Sequence, residues 1–101
     1  MLCYEKKKNA LIVRLSGELD HSVVTAIRGE LDSLIARTDA KKLIFDLKGL
    51  EFMDSSGIGL IIGRYMVMSR RGGSVAVSGT DARIDQLFRM AGIYQLVERL
   101  A

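Results

Sequence analysis

Leu43-Ile44-Phe45-Asp46-Leu47, then Phe52-Met53-Asp54-Ser55-Ser56-Gly57-Ile58-Gly59, then a segment running to Arg71 and closed by Gly72-Gly73: this stretch decides the fold. The first five residues are bulky, mostly apolar and too few for a helix, which predicts a buried strand. From about Ser56 to Arg71 the apolar residues Ile58, Ile61, Ile62, Tyr65 and Met68 recur at helical spacing. Gly72-Gly73 supplies the left-handed backbone that ends a helix. A strand that feeds a helix through a polar link is one half of a β-α-β unit. Downstream, Val75-Ala76-Val77 is the returning strand. Thr80 or Asp81 then opens a third helix, with Ile84, Leu87, Phe88 and Ala91 on one face and Gly92 at its end. The pattern leaves the type of the last apolar segment, Ile93 to Leu100, open. Upstream, Val23, Val24, Ile27, Leu31, Leu34 and Ile35 mark a first helix that Asp20 or Ser22 can cap. Ser16-Gly17-Glu18-Leu19-Asp20 breaks the strand pattern before it. Leu2–Lys7 and Leu11–Leu15, joined around Lys8-Asn9, predict an antiparallel hairpin. The whole predicts a single α/β domain over residues 1–101, with an N-terminal hairpin, a mostly parallel sheet with right-handed crossovers, and helices packed on it.

Composition narrows the function. Of 101 residues, 49% are hydrophobic, which is ample for one core and excludes a disordered chain. Fifteen basic and twelve acidic residues leave a charge of +3, with the basic residues scattered. No basic stripe with interleaved aromatics favours nucleic acid as a partner. No apolar run approaches the ~20 residues of a membrane span, so a soluble, cytoplasmic protein with no membrane partner is expected. The single cysteine, Cys3, excludes an internal disulfide and is expected as a small buried hydrophobe. The five methionines are expected to fill the core.

The chemistry concentrates in Asp54-Ser55-Ser56-Gly57-Ile58-Gly59. These residues fall beyond the carboxyl end of a parallel strand, where α/β folds place ligands, and at a helix start, where backbone N–H groups are unpaired. One of the hydroxyls could serve simply as an N-cap. Gly57, Gly59 and Gly63 each cost about 1 kcal/mol in a helix relative to alanine, which implies close approach, either by the sheet beneath or by a partner above. The glycine spacing does not fit G-x-G-x-x-G, and no phosphate loop is present. His21 is the only histidine, and no G-x-S-x-G elbow surrounds either serine. No catalytic residue, cofactor or metal site is therefore expected. A serine displayed at a helix start beside Asp54 is better placed as a substrate of phosphorylation than as a nucleophile, because a phosphate there is favoured by the helix N-terminus. Spacing alone does not choose between Ser55 and Ser56.

With Leu15-Ser16-Gly17-Glu18-Leu19-Asp20-His21, Phe52 to Gly59 and Gly63-Arg64-Tyr65, the chain resembles the STAS-domain anti-sigma factor antagonists, most closely those of the sporulation sigma factor F pathway. The resemblance covers nearly the whole chain. It departs only in ending soon after the third helix, where relatives often carry a longer tail. The resemblance implies a partner-switching protein that is not an enzyme. Its unphosphorylated form would bind an anti-sigma factor that is also a serine kinase and so free the sigma factor. The kinase with ATP bound would phosphorylate and release it, the complex would persist with ADP, and a serine phosphatase would restore it. The phosphoacceptor implied is Ser56, the serine directly before the glycine. Glu18, Asp20, Asp54, Ser55, Ser56, Gly57 and Gly59 are expected in the partner surface, and an acidic edge there would suit a basic partner. Rival readings are a STAS domain of another regulatory pathway, a phosphoaspartate receiver using Asp46 or Asp54, and a small nucleotide-binding domain. The receiver lacks a lysine after Lys48, and the nucleotide-binding domain lacks a phosphate loop.

Overall fold

In the computed structural model, which describes residues 1–101, β1 (Leu2–Lys7) and β2 (Ala10–Leu19) form the antiparallel hairpin. Lys8 turns it, with a left-handed φ of 51°. Helix α1 (His21–Ala36) leads to β3 (Lys42–Met53), α2 (Ser55–Arg70) to β4 (Ser74–Ser78), and α3 (Ala82–Met90), followed by a 3-10 turn (Ile93–Gln95), to β5 (Glu98–Arg99). The sheet order is β1-β2-β3-β4-β5, and β2 to β5 run parallel. Each crossover joins neighbouring strands and steps the same way, so right-handed connections set the helices on one face. Burial agrees. Leu11, Val13 and Leu15 of β2, Leu43, Phe45 and Leu47 of β3, and Val75 and Val77 of β4 are buried in one core with residues of all three helices. The alternating Ile12, Arg14, Ile44 and Asp46 are not buried. There Arg14 bridges Glu5 at 2.7 Å and Asp46 at 3.3 Å across three strands.

Both central strands outrun their sequence pattern. Ser16-Gly17-Glu18-Leu19 does not break β2 but continues it, through register shifts between Arg14 and Ser16 and between Gly17 and Glu18. Gly17 takes φ 81°, a left-handed conformation open to glycine. The extra residues of these shifts lie on β3, where burial passes from Leu47 to Leu50 to Met53 instead of at every second residue, while β2 keeps its alternation with Gly17 in the inward slot between buried Leu15 and Leu19. β3 likewise runs on from Leu47 through Leu50 to Met53, both buried. The last apolar segment resolves into the 3-10 turn and the short β5. Cys3 is exposed rather than buried, because it lies on the edge strand β1. Of the methionines, Met53 and Met68 belong to the core, whereas Met1, Met66 and Met90 are exposed.

The C-terminal elements are locked by one carboxylate. Asp85 on α3 is buried and accepts from Thr80 Oγ1 at 2.8 Å, from the Tyr94 hydroxyl, and from Arg99 Nε and Nη2 at 3.0 and 3.1 Å. A two-pronged guanidinium contact of this kind is among the stronger side-chain interactions. The Arg99 hydrogen bonds, then those of Tyr94 and Thr80, hold the Asp85 carboxyl well below the usual carboxylate range against the opposing effect of burial. With the folded pKa below the unfolded one (about 3.9), this network stabilises fully above that pH, and its contribution is lost as pH falls further. Asp85→Asn is expected to cost about 2 kcal/mol at pH 7, measured by urea unfolding. The gap to wild type should narrow steadily below about pH 4; a gap independent of pH would remove the ionised network as its cause.

Candidate functional site

Parallel pairing of β2 with β3 ends at Leu19 opposite Met53, so the two strand-to-helix junctions lie side by side. They are built alike. Asp20 caps α1, with Oδ1 accepting from Val23 N at 3.0 Å; Asp54 caps α2, with Oδ1 accepting from Ser56 N at 2.8 Å. Asp54 N in turn donates to Leu19 O at 3.4 Å, tying one junction to the other. The choice of cap decides the chemistry at Ser56. Because the Asp54 carboxylate takes the capping position, neither serine hydroxyl does, and neither makes a side-chain hydrogen bond. Ser55 is exposed and Ser56 half-buried. His21 lies across a groove from Ser56 without hydrogen-bonding it, and Asp20 is engaged in its cap, so no base-and-orienter pair activates the hydroxyl.

The three glycines of α2 divide between the two explanations of close approach. A Cβ at Gly57 would stand 2.6 Å from Met53 Cγ and 3.1 Å from Leu19 Cδ2, so this glycine lets the helix seat on the sheet and faces inward. A Cβ at Gly59 or Gly63 would meet nothing within 4 Å. Those two positions form the open floor of a groove of about 380 Å³ between α1 and α2. It is lined by His21, Thr25 and Arg28 from α1 and by Ser56 and Arg64 from α2. On the other side of the junction, Phe52 is 45% exposed beside a small cleft made with Met53, Arg83, Ile84 and Leu87. Arg83 fixes α3 against the end of β3 by donating to Glu51 O at 3.0 Å.

The structure therefore brings Glu18, Asp20, Asp54, Ser55, Ser56 and Gly59 to one edge and turns Gly57 inward. Glu18 is exposed and pairs in register with Phe52. The expected acidic edge is tempered, since Asp20 and Asp54 each spend a carboxylate oxygen on a helix N-terminus. Arg28 was not singled out in the sequence, and Phe52 and Arg64 entered only within the motifs of the resemblance, with no role assigned to them. Arg64 lies between Leu60 and Met68 on the stripe of α2 that is buried, so a helical-face count that included it would have exposed the anomaly of a charge among apolar residues.

A sheet of this order with three one-sided helices and paired strand-to-helix junctions defines a class, and the sequence matches the STAS domain family over residues 2–100. The chain belongs to the STAS family, among its anti-sigma factor antagonists. The anti-sigma F factor antagonist of Paenibacillus polymyxa is 40% identical over 93 residues, covering 92% of this chain and 80% of that protein. The structure of the anti-sigma factor antagonist SpoIIAA in its unphosphorylated form superposes with a TM-score of 0.86 at 26% identity, over 100% of this chain and 89% of that one. The Bacillus cell fate determinant SpoIIAA in its phosphorylated form gives 0.77 at 26% identity, over 100% and 92%.

The glycine assignments carry an ordered expectation for stability. Gly59→Ala and Gly63→Ala should each stabilise by up to about 1 kcal/mol, the helix-propensity difference, because their Cβ atoms enter open space. Gly57→Ala must displace Met53, and overpacking of this kind costs about 1–3 kcal/mol. Thermal melts should rank Gly59→Ala and Gly63→Ala above wild type and Gly57→Ala below it. An equal rise at all three would show that Gly57 is not seated on the sheet.

Proposed function

We propose that this anti-sigma factor antagonist acts on the sporulation sigma factor F system by partner switching, and that Ser56 is its switch. One observation carries the reading: Asp54 takes over the cap of α2 and leaves the Ser56 hydroxyl unengaged at an exposed edge, at the positive end of the helix dipole. An unactivated serine in that setting suits a kinase's substrate. The relatives support the same reading, being antagonists of anti-sigma F factor and having a structural counterpart with both phosphorylated and unphosphorylated forms. In this account the unphosphorylated chain binds an anti-sigma factor that doubles as a serine kinase and releases the sigma factor. Kinase carrying ATP phosphorylates Ser56 and lets the chain go, kinase carrying ADP retains it, and a serine phosphatase resets it. The protein acts in the cytoplasm, where its partners are. Glu18, Asp20, Asp54, Ser55 and Gly59 surround Ser56 as the contact surface, with exposed Phe52 as an apolar anchor.

Incubation with the kinase and ATP followed by mass spectrometry should place a single phosphate on Ser56. Ser56→Ala should still bind the anti-sigma factor and resist phosphorylation. Phosphate on Ser55, Thr80 or an aspartate would overturn the assignment; acid lability would point to an acyl phosphate and the receiver-type reading. Glu18→Lys should weaken the complex about tenfold, the effect of roughly 1.4 kcal/mol, at an unchanged melting temperature. Unaltered affinity would take Glu18 out of the interface.

A further inference from the structure

Arg64 is a cation on a helix face that otherwise buries apolar side chains, held there by one ion pair to Asp32. It is 9% exposed, on the stripe of α2 that otherwise buries Leu60, Ile61 and Met68. Its Nε and Nη1 are buried and have no hydrogen-bond partner. The nearest acid, Asp32 of α1, stands 3.3 Å from Nε but is not aligned for a hydrogen bond, and its own side chain is half-exposed. A buried donor left unpaired is destabilising, more so when charged. The group nevertheless lines the groove between α1 and α2 together with a second cation, the exposed Arg28. The floor under them, at Gly59 and Gly63, is bare backbone with no side chain to fill it.

We propose that this groove receives an acidic side chain of the anti-sigma factor, with Arg64 as its buried hydrogen-bonding cation and Arg28 as the cation at the rim. The inference rests on the antagonist reading and specifies how that partner is recognised. Charge complementarity selects the occupant. Two guanidinium groups outnumber the one partly engaged carboxylate of Asp32, while the carboxylates of Asp20 and Asp54 at the mouth are taken up by the N-termini of α1 and α2 that they cap. A guanidinium presents a planar fork that a carboxylate matches with paired bonds, which a neutral side chain does not. Ser56 stands at the mouth, eight residues from Arg64 on the same helix, or about 12 Å along its axis. A phosphate on Ser56 would not reach the Arg64 seat. It would stand in the entrance and repel an acidic side chain on its way in, so the groove and the serine act as one recognition unit.

The test is binding of the anti-sigma factor to the whole chain, wild type and three variants, by calorimetry, with folding checked by melting. Arg64→Gln should weaken the complex roughly thirtyfold and Arg64→Lys less. Arg28→Glu, at an exposed position that the fold does not need, should weaken it at least tenfold. The Arg64 Nε–H resonance should shift when the complex forms. Should Arg64→Gln fail to fold, the Arg28→Glu result and the wild-type resonance decide. Wild-type affinity in Arg28→Glu, or a resonance unmoved in the saturated complex, overturns the proposal while leaving the antagonist reading standing. Inorganic phosphate alone reproducing the full shift would overturn it by making the seat one for free anions. A wild-type chain that does not bind the anti-sigma factor overturns both.

Discussion

The pairing of Leu19 with Met53 at the end of the parallel β2–β3 ladder is the constraint on which the functional edge depends. Both side chains are buried, at 1% and 9% exposure, and both would lie against a Cβ added to Gly57. Three elements therefore meet at one apolar point beneath the loop. The two chains must leave the sheet at the same level, and each starts its helix at once with an aspartate cap. Two helix N-termini then face the same way within one edge. Had the register slipped by one residue, every side chain of β3 would have changed faces. Leu43, Phe45 and Leu47 would have left the core, and the ladder is held in place by that penalty.

The aspartate caps do more than start helices. Replacing a cap by alanine costs about 1 kcal/mol, which is modest, but the identity of the capping residue fixes what its neighbours are free to do. With Asp54 accepting from Ser56 N, the backbone of Ser56 is held by hydrogen bonding while its hydroxyl stays available. A serine cap would have tied that hydroxyl to the helix. The same economy recurs at Asp20 and Asp81, so all three helices start on an aspartate and none on a hydroxyl. Starting the helix and leaving the Ser56 hydroxyl free are served by one carboxylate.

Much of this was legible in the sequence because the signals were local. The hairpin turn at Lys8-Asn9, the helical periods from Val23 and Ile84, and the Gly72-Gly73 stop are read within a few residues of themselves. The α/β order followed from their succession. What escaped were features that depend on partners far along the chain. β2 places a glycine instead of an apolar residue in its inward slot at Gly17, and β3 spends extra residues between Leu47 and Met53 to keep step with it, so neither pattern reads as one continuous strand. The sequence offered the serine hydroxyls as the cap of α2 and passed over Asp54, since residue type suits an aspartate as well as a serine there. The glycines announced close approach without saying to what. Only the positions of Met53 and Leu19 separate Gly57, which faces the sheet, from Gly59 and Gly63, which face the groove. Arg64 was hidden for the same reason, because a charge in a helix is unremarkable until the buried stripe is known.

These placements bear on how a phosphate at Ser56 could control binding without altering the fold. The core beneath the site is closed: Leu19, Met53, Leu60 and Ile61 are all buried in one continuous cluster. A group added to a half-exposed hydroxyl need disturb none of them. Its charge, about −1.5 to −2, would sit at the positive end of the α2 dipole, which stabilises an anion by ~0.3–1 kcal/mol, so the free protein has no cause to rearrange. In the complex the same charge would be trapped between surfaces. Leaving an ion buried without a partner costs about 3–5 kcal/mol, whereas about 4 kcal/mol separates a thousandfold in affinity. The local penalty is thus comparable to the whole effect required. A rigid edge is the better switch in that balance, because a flexible loop could move the phosphate aside and recover the loss. The edge is pinned by the seat of Gly57 on Met53, by the Asp54 N to Leu19 O bond and by the two caps, so a phosphate placed on Ser56 would have no loop to carry it aside.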